Sequence, residues 1–119
     1  MDDRFAVQDI TIDRGAATLT IVFGDDAVGQ YALEELRVNC PCAGCRGSRD
    51  HGVAPWPPTG REDAELGVSD ARLVGAWGLG ITWTDGHEAG IFPWEGLRRW
   101  HDDEIPRFTP ETGRDLPAP

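Results

Sequence analysis

Residues 7 to 13 (Val7, Gln8, Asp9, Ile10, Thr11, Ile12, Asp13) alternate apolar and polar, and after a turn over Arg14 to Ala17 the alternation resumes at Leu19, Ile21 and Phe23. Successive side chains of a strand point to opposite faces, so a period of two marks strands with one buried face, here an antiparallel hairpin. Gly24, Asp25 and Asp26 supply the next turn, a short strand is expected around Val28 to Tyr31, and the Leu33, Leu36 spacing through Val38 suits a short helix. The pattern then returns. Leu79, Ile81, Trp83 and Asp85 stand sixty positions after Leu19, Ile21, Phe23 and Asp25. After one inserted residue, Gly90, Phe92, Glu95, Leu97 and Arg98 match Gly29, Tyr31, Glu34, Leu36 and Arg37 at an offset of sixty-one.

Two copies of a strand, strand, strand, short-helix unit predict an α+β fold of two pseudo-symmetric β-β-β-α repeats, a mainly antiparallel sheet packed on short helices. Between the copies, Gly47 to Gly67 holds Gly52, Pro55, Pro57, Pro58 and Gly60 with few periodic apolar residues and reads as an irregular loop. Such a length without structure inside one domain calls for an anchor at its start. Residues 1–101 are expected to form a single domain, and 102–119 an acidic, proline-rich flexible tail. Trp83 follows the inward alternation, Trp94, Leu97 and Trp100 share one helix stripe, and these tryptophans with Trp77 are expected in the core. Trp56, in the proline loop, is expected to be the exposed one.

Composition narrows the function. With 119 residues, 39% of them hydrophobic, one core is the expectation, and a metal clip would add useful stability to it. The net charge is −10 and all eleven basic residues are scattered arginines, which tells against nucleic acid and against an anionic membrane surface. No apolar run approaches the ~20 residues of a membrane span, and Met1 to Arg4 lack the basic and apolar segments of a secretory signal, so a cytoplasmic location is expected.

Cys40, Pro41, Cys42, Ala43, Gly44 and Cys45 form a C-x-C-x-x-C cluster, in which small residues and a proline let three sulfurs converge on one centre. Three cysteines in six positions do not pair off evenly, and in a reducing compartment thiolate ligation is favoured over disulfides. A tetrahedral zinc site then needs a fourth ligand, from His51, His87 or His101. His51 lies in the proline loop and His101 at the end of the second helix. His87 occupies the turn Asp85, Gly86, His87, where the first repeat has Ala27, so it is an addition to a turn that forms without it. His87 ranks first and His51 second. Arg37 and Arg46 are candidates to offset the charge of three thiolates around Zn²⁺. His101 and Asp103 give H-x-D without the strand context or distal histidine of a non-haem iron triad. There is no nucleophile triad, phosphate loop or paired carboxylate motif.

The string Tyr31, Leu36, Arg37, Cys40, Pro41, Cys42, Ala43, Cys45, with Trp83, Asp85, Gly86, His87, Gly90, Trp94 and Leu97, resembles the gamma-butyrobetaine hydroxylase-like N-terminal domain, a family formerly described as a domain of unknown function. The resemblance runs from about Ile10 to Trp100. It implies that Cys40, Cys42, Cys45 and His87 bind a structural zinc, as in carnitine-pathway hydroxylases where the domain precedes a 2-oxoglutarate-dependent catalytic domain. No hydroxylase activity is carried over, because the matching residues belong to the zinc domain alone. Related domains also occur alone in bacteria and fused to P-loop proteins that handle iron–sulfur clusters. The first turn, Gly24, Asp25, Asp26, departs from the family's usual aspartate–glycine pair, which tells against a tight turn there.

The function expected from these readings is a non-catalytic zinc module that docks onto another protein, such as an oxygenase or other metabolic enzyme, or onto its own copy as a homodimer. The alternative is an accessory protein of iron–sulfur cluster assembly or electron transfer using the same four ligands. An enzyme working in a pocket between the repeats would need an acid, base or nucleophile that the sequence does not offer.

Overall fold

The computed structural model describes residues 3–56, 65–87, 90–105, 107–109 and 114–116. The part of the proline loop spanning 57–64 and the remainder of the tail fall outside the described residues. The first repeat comprises β1 (Val7–Asp13), β2 (Thr18–Phe23), β3 (Val28–Ala32) and α1 (Leu33–Val38). The second comprises β4 (Val68–Val74), β5 (Gly78–Trp83), β6 (Ile91–Pro93) and α3 (Trp94–His101). Each repeat forms its own three-stranded antiparallel sheet, ordered β1-β2-β3 and β4-β5-β6.

The duplication extends to irregularities. In both sheets the first strand carries a register shift at the same place, between Val7 and Asp9 and between Val68 and Asp70. Both repeat helices are entered by the same backbone bond, Leu33 N–H to Ala17 O and Trp94 N–H to Trp77 O, each 2.9 Å. Apolar residues on the inward period of β2 and β5 (Leu19, Ile21, Phe23; Leu79, Ile81, Trp83) bury almost completely and meet Leu33, Leu36, Trp94 and Leu97 in one core. Each such side chain contributes roughly 1.5–3 kcal/mol on burial. Tyr31 ties the halves together, donating its hydroxyl to Leu97 O at 2.6 Å. This is an α+β fold with the core between the repeats, as the alternation and spacing predict.

Four local expectations need correction. The predicted loop from Gly47 overlaps a helix, α2 (Ala43–Asp50), whose composition is poor in helix formers. It is started by Cys42, whose Sγ accepts the Cys45 N–H at 3.4 Å in the manner of an N-cap. The first turn is as tight as the second: Phe23 N–H reaches Ala27 O at 2.8 Å, and Trp83 N–H reaches His87 O at 2.9 Å. Asp26 adopts the left-handed conformation (φ 71°) that Gly86 adopts (φ 89°), and aspartate tolerates it better than most residues. Trp56 is buried against Val38, Ala54 and Leu66, because the loop folds back over α1. Trp77, placed in the core by its repeat, lies in the β4–β5 turn and is 53% exposed. Beyond α3, two short strands, β7 (Arg107–Thr109) and β8 (Arg114–Leu116), pair as a hairpin.

No helix among the described residues is long and apolar enough to cross a membrane.

Candidate metal centre

The ligand-type side chains come from both repeats. Cys40 follows α1, Cys42 caps α2, Cys45 lies in its first turn, and His87 closes the turn after β5. The structure brings Cys40, Cys42, Cys45 and His87 together: their three Sγ atoms and one imidazole nitrogen all lie within 4.8 Å of one another. His87 Nε2 stands 3.2 Å from Cys40 Sγ, 3.6 Å from Cys42 Sγ and 3.5 Å from Cys45 Sγ. A tetrahedral ion with sulfur at ~2.3 Å and nitrogen at ~2.0 Å would set nitrogen-to-sulfur edges of ~3.5 Å. The donor set therefore fits a single metal ion. The three cysteines form no disulfide. His51 caps the far end of α2 and His101 ends α3, both exposed, and neither joins the group.

The backbone leaves room for this arrangement at one point in particular. Gly90 is buried against Cys40, and a Cβ there would collide with the Cys40 sulfur. Its repeat counterpart Gly29 faces the Tyr31 ring instead. The sequence pattern marks Gly90 only as a repeated glycine, and its clearance role emerges from the fold.

Arg37 organises the surroundings. It is buried, and its Nη1 donates to Cys45 Sγ at 3.4 Å while Nε and Nη2 each reach Asp85 Oδ2 at 3.1 Å. Asp85 Oδ1 in turn accepts the His87 N–H at 3.0 Å, so one ion pair fixes both ligand-bearing segments. Arg46, the other candidate for charge compensation, makes no contact with a sulfur among the described residues. The Arg37–Asp85 pair has a mirror image, Arg98 to Asp25, in which the helix of the second repeat reaches the turn of the first at 2.7 and 2.8 Å. The aligned Asp25/Asp85 and Arg37/Arg98 pairs in the sequence carry that signal, which inspection of the cysteines alone passes over.

The local electrostatics separate the three thiols. Burial pushes Cys40 up to about 12. At Cys45 burial, with the neighbouring Cys42, also raises the thiol, against the opposing Arg37 guanidinium. At Cys42 burial acts in the same sense, but hydrogen bonds from the Cys45 amide, Cys45 and Cys40 outweigh it and the thiol falls below its ordinary value. Burial and then the Arg37 charge lower His87 despite Asp85, which favours the neutral imidazole a metal requires.

A two-repeat α+β domain with a Cys3His cluster at the junction of its halves is thus defined. Residues 10–98 match the family model described as gamma-butyrobetaine hydroxylase-like, N-terminal, and the chain belongs to that family. Among solved structures it is similar to a protein of unknown function of the DUF971 family from Acidithiobacillus ferrooxidans ATCC 23270, at 26% identity and a TM-score of 0.63, covering 83% of this chain and 96% of that one. A protein solved by solution NMR shares the fold at 22% identity and a TM-score of 0.62, covering 84% and 71%. A second NMR structure matches at 25% identity with a TM-score of 0.58, covering 83% and 74%. No curated protein matches the chain.

Proposed function

We propose that this protein is a non-catalytic zinc module in which Cys40, Cys42, Cys45 and His87 hold one structural ion, and that it serves as an interaction or accessory domain for another protein. The convergence of four ligand atoms within 4.8 Å carries the reading. Four protein ligands fill a tetrahedral ion and leave no position for water or substrate, so the ion acts through the fold. Soft thiolates with one imidazole suit zinc. An iron–sulfur cluster holds its ligands on two or more irons and so spreads them apart, whereas these four ligand atoms lie within 4.8 Å of one another.

The interaction role draws support from the second repeat, where Leu73 (67% exposed) and Trp77 (53% exposed) stand beside the β4–β5 turn. Large apolar side chains grouped at a sheet end suit docking onto a protein partner, such as an oxygenase or other metabolic enzyme, or onto a second copy. The deciding experiment is anaerobic purification followed by metal analysis and a visible spectrum. Colourless protein with one zinc per chain is the expected result. A brown protein carrying iron and acid-labile sulfide would replace the zinc reading with iron–sulfur assembly or electron transfer.

A further inference from the structure

Behind the sulfur cluster, a cavity of about 310 Å³ lies between α2, α3 and the end of α1, at the small end of the roughly 300–1,000 Å³ usual for ligand sites. Its floor is apolar, formed by Phe92, Leu97 and Trp100, and its wall carries Arg46 and Arg49. No aspartate or glutamate is among its described lining residues, in a chain with twenty-one of them.

The two arginines sit three residues apart on α2 and therefore on one face of it. Arg49 is anchored, its Nη1 donating to Val38 O at 2.9 Å and Cys40 O at 2.8 Å. Arg46 spends its backbone N–H on Cys42 O at 3.0 Å, and its guanidinium makes no hydrogen bond or ion pair among the described residues. A fixed guanidinium beside an uncommitted one, above an aromatic and aliphatic floor, matches an anion with an apolar body.

Gly96 supplies an independent observation. It lies in the first turn of α3 and lines the cavity, although glycine is a poorer helix former than alanine. Neither backbone nor packing asks for it: its φ is not left-handed, and an added Cβ would meet only Pro93 Cδ, at 3.8 Å. The first repeat has Glu35 at the corresponding position. With glycine there, that part of the cavity wall carries no side chain and no charge.

We propose that this cavity binds a small carboxylate with an aliphatic or aromatic body, its carboxylate held by Arg46 and Arg49 and its body laid against Trp100, Leu97 and Phe92. A volume of about 310 Å³ suits a free small molecule. The site is separate from the four sulfur and nitrogen ligands and does not depend on which ion they hold.

The test uses the full-length metal-loaded protein, titrated with hexanoate and benzoate and, in parallel, with 1-hexanol and benzyl alcohol, and followed by ¹H–¹⁵N NMR. The carboxylates should produce saturable shifts in the Trp100 indole and the amides of α2, with the alcohols at least about tenfold weaker. Arg46→Gln should weaken carboxylate binding about tenfold, and Gly96→Leu should abolish it, both with unchanged metal content. Gly96→Ala, which favours the helix, should weaken binding without lowering the melting temperature and guards against misfolding of the leucine variant. Equal binding of alcohols and carboxylates, shifts located elsewhere, or no saturation would overturn the proposal. So would binding only of a phenylalanine-terminated pentapeptide carboxylate.

Discussion

The two ends of the pseudo-twofold use the same clasp and close it differently. At one end Arg98 takes Asp25 with its two terminal nitrogens and Asp102 with Nε at 2.9 Å, and Arg4 also pairs with Asp102 and Glu104. Protein charges alone complete that end. At the other end Arg37 takes a single oxygen of Asp85 with Nε and Nη2, and its remaining nitrogen, Nη1, meets the sulfur of Cys45. A helix arginine thus reaches across to the other repeat's turn at both joints, and the three cysteines and His87 are an addition built onto one of them.

The sharpest way to break the comparison is to disable the Cys3His group. Cys42→Ser, or chelation, should cause loss of the ion and a large fall in thermal stability, because structural zinc sites contribute ~10 kcal/mol against a total of ~5–15 kcal/mol for a domain. Circular dichroism melts of the metal-free and metal-loaded forms measure it.

Next in size, Arg37→Met and Arg98→Met should each lower the melting temperature, since each removes a buried cation from its carboxylate partners. Competition with a chromophoric chelator should separate them. Arg37→Met is expected to weaken metal binding at least ~10-fold, in the range known for partners of ligating residues, while Arg98→Met leaves it unchanged.

Acid should dissect the same two ends in order. His87 is held below its ordinary 6.5, so the unfolded chain takes up the proton first and stability falls as pH drops below 6.5, with release of the ion. Asp25 is lowered from 3.8 to about 2, chiefly by its hydrogen bonds from Arg98. Its contribution is present above 3.8 and is lost as pH falls from there toward 2. Metal release followed by unfolding at lower pH, tracked by a zinc indicator and circular dichroism, is the expected sequence.

The smallest effect belongs to the exposed helix pair Glu95 and Arg99, whose contact at 2.9 Å lies in solvent on α3. Glu95→Ala should leave both melting and metal affinity unchanged within error, because screening and side-chain entropy cancel such pairs.

The repeat and the grouping of the cysteines were legible in the sequence because both rest on local pattern: strand alternation at Leu19, Ile21, Phe23 and its copy, and three sulfurs within six residues. His87 was singled out by comparing the turns of the two copies. The rest depended on tertiary context. Helix α2 arises from a cysteine acting as cap, which propensity does not anticipate, and Trp56 is buried by a loop whose path composition does not encode. Gly90 and the crossed arginine–aspartate pairs become meaningful only once the two repeats face each other.

The most direct test of the central claim is X-ray absorption at the zinc edge of the purified full-length protein. A single ion joined to both repeats predicts a first shell of three sulfurs at ~2.3 Å and one nitrogen at ~2.0 Å, with the nitrogen contribution lost in His87→Ala. A shell without sulfur, a nitrogen that persists in His87→Ala, or a metal–metal scattering path in place of a single ion would contradict it.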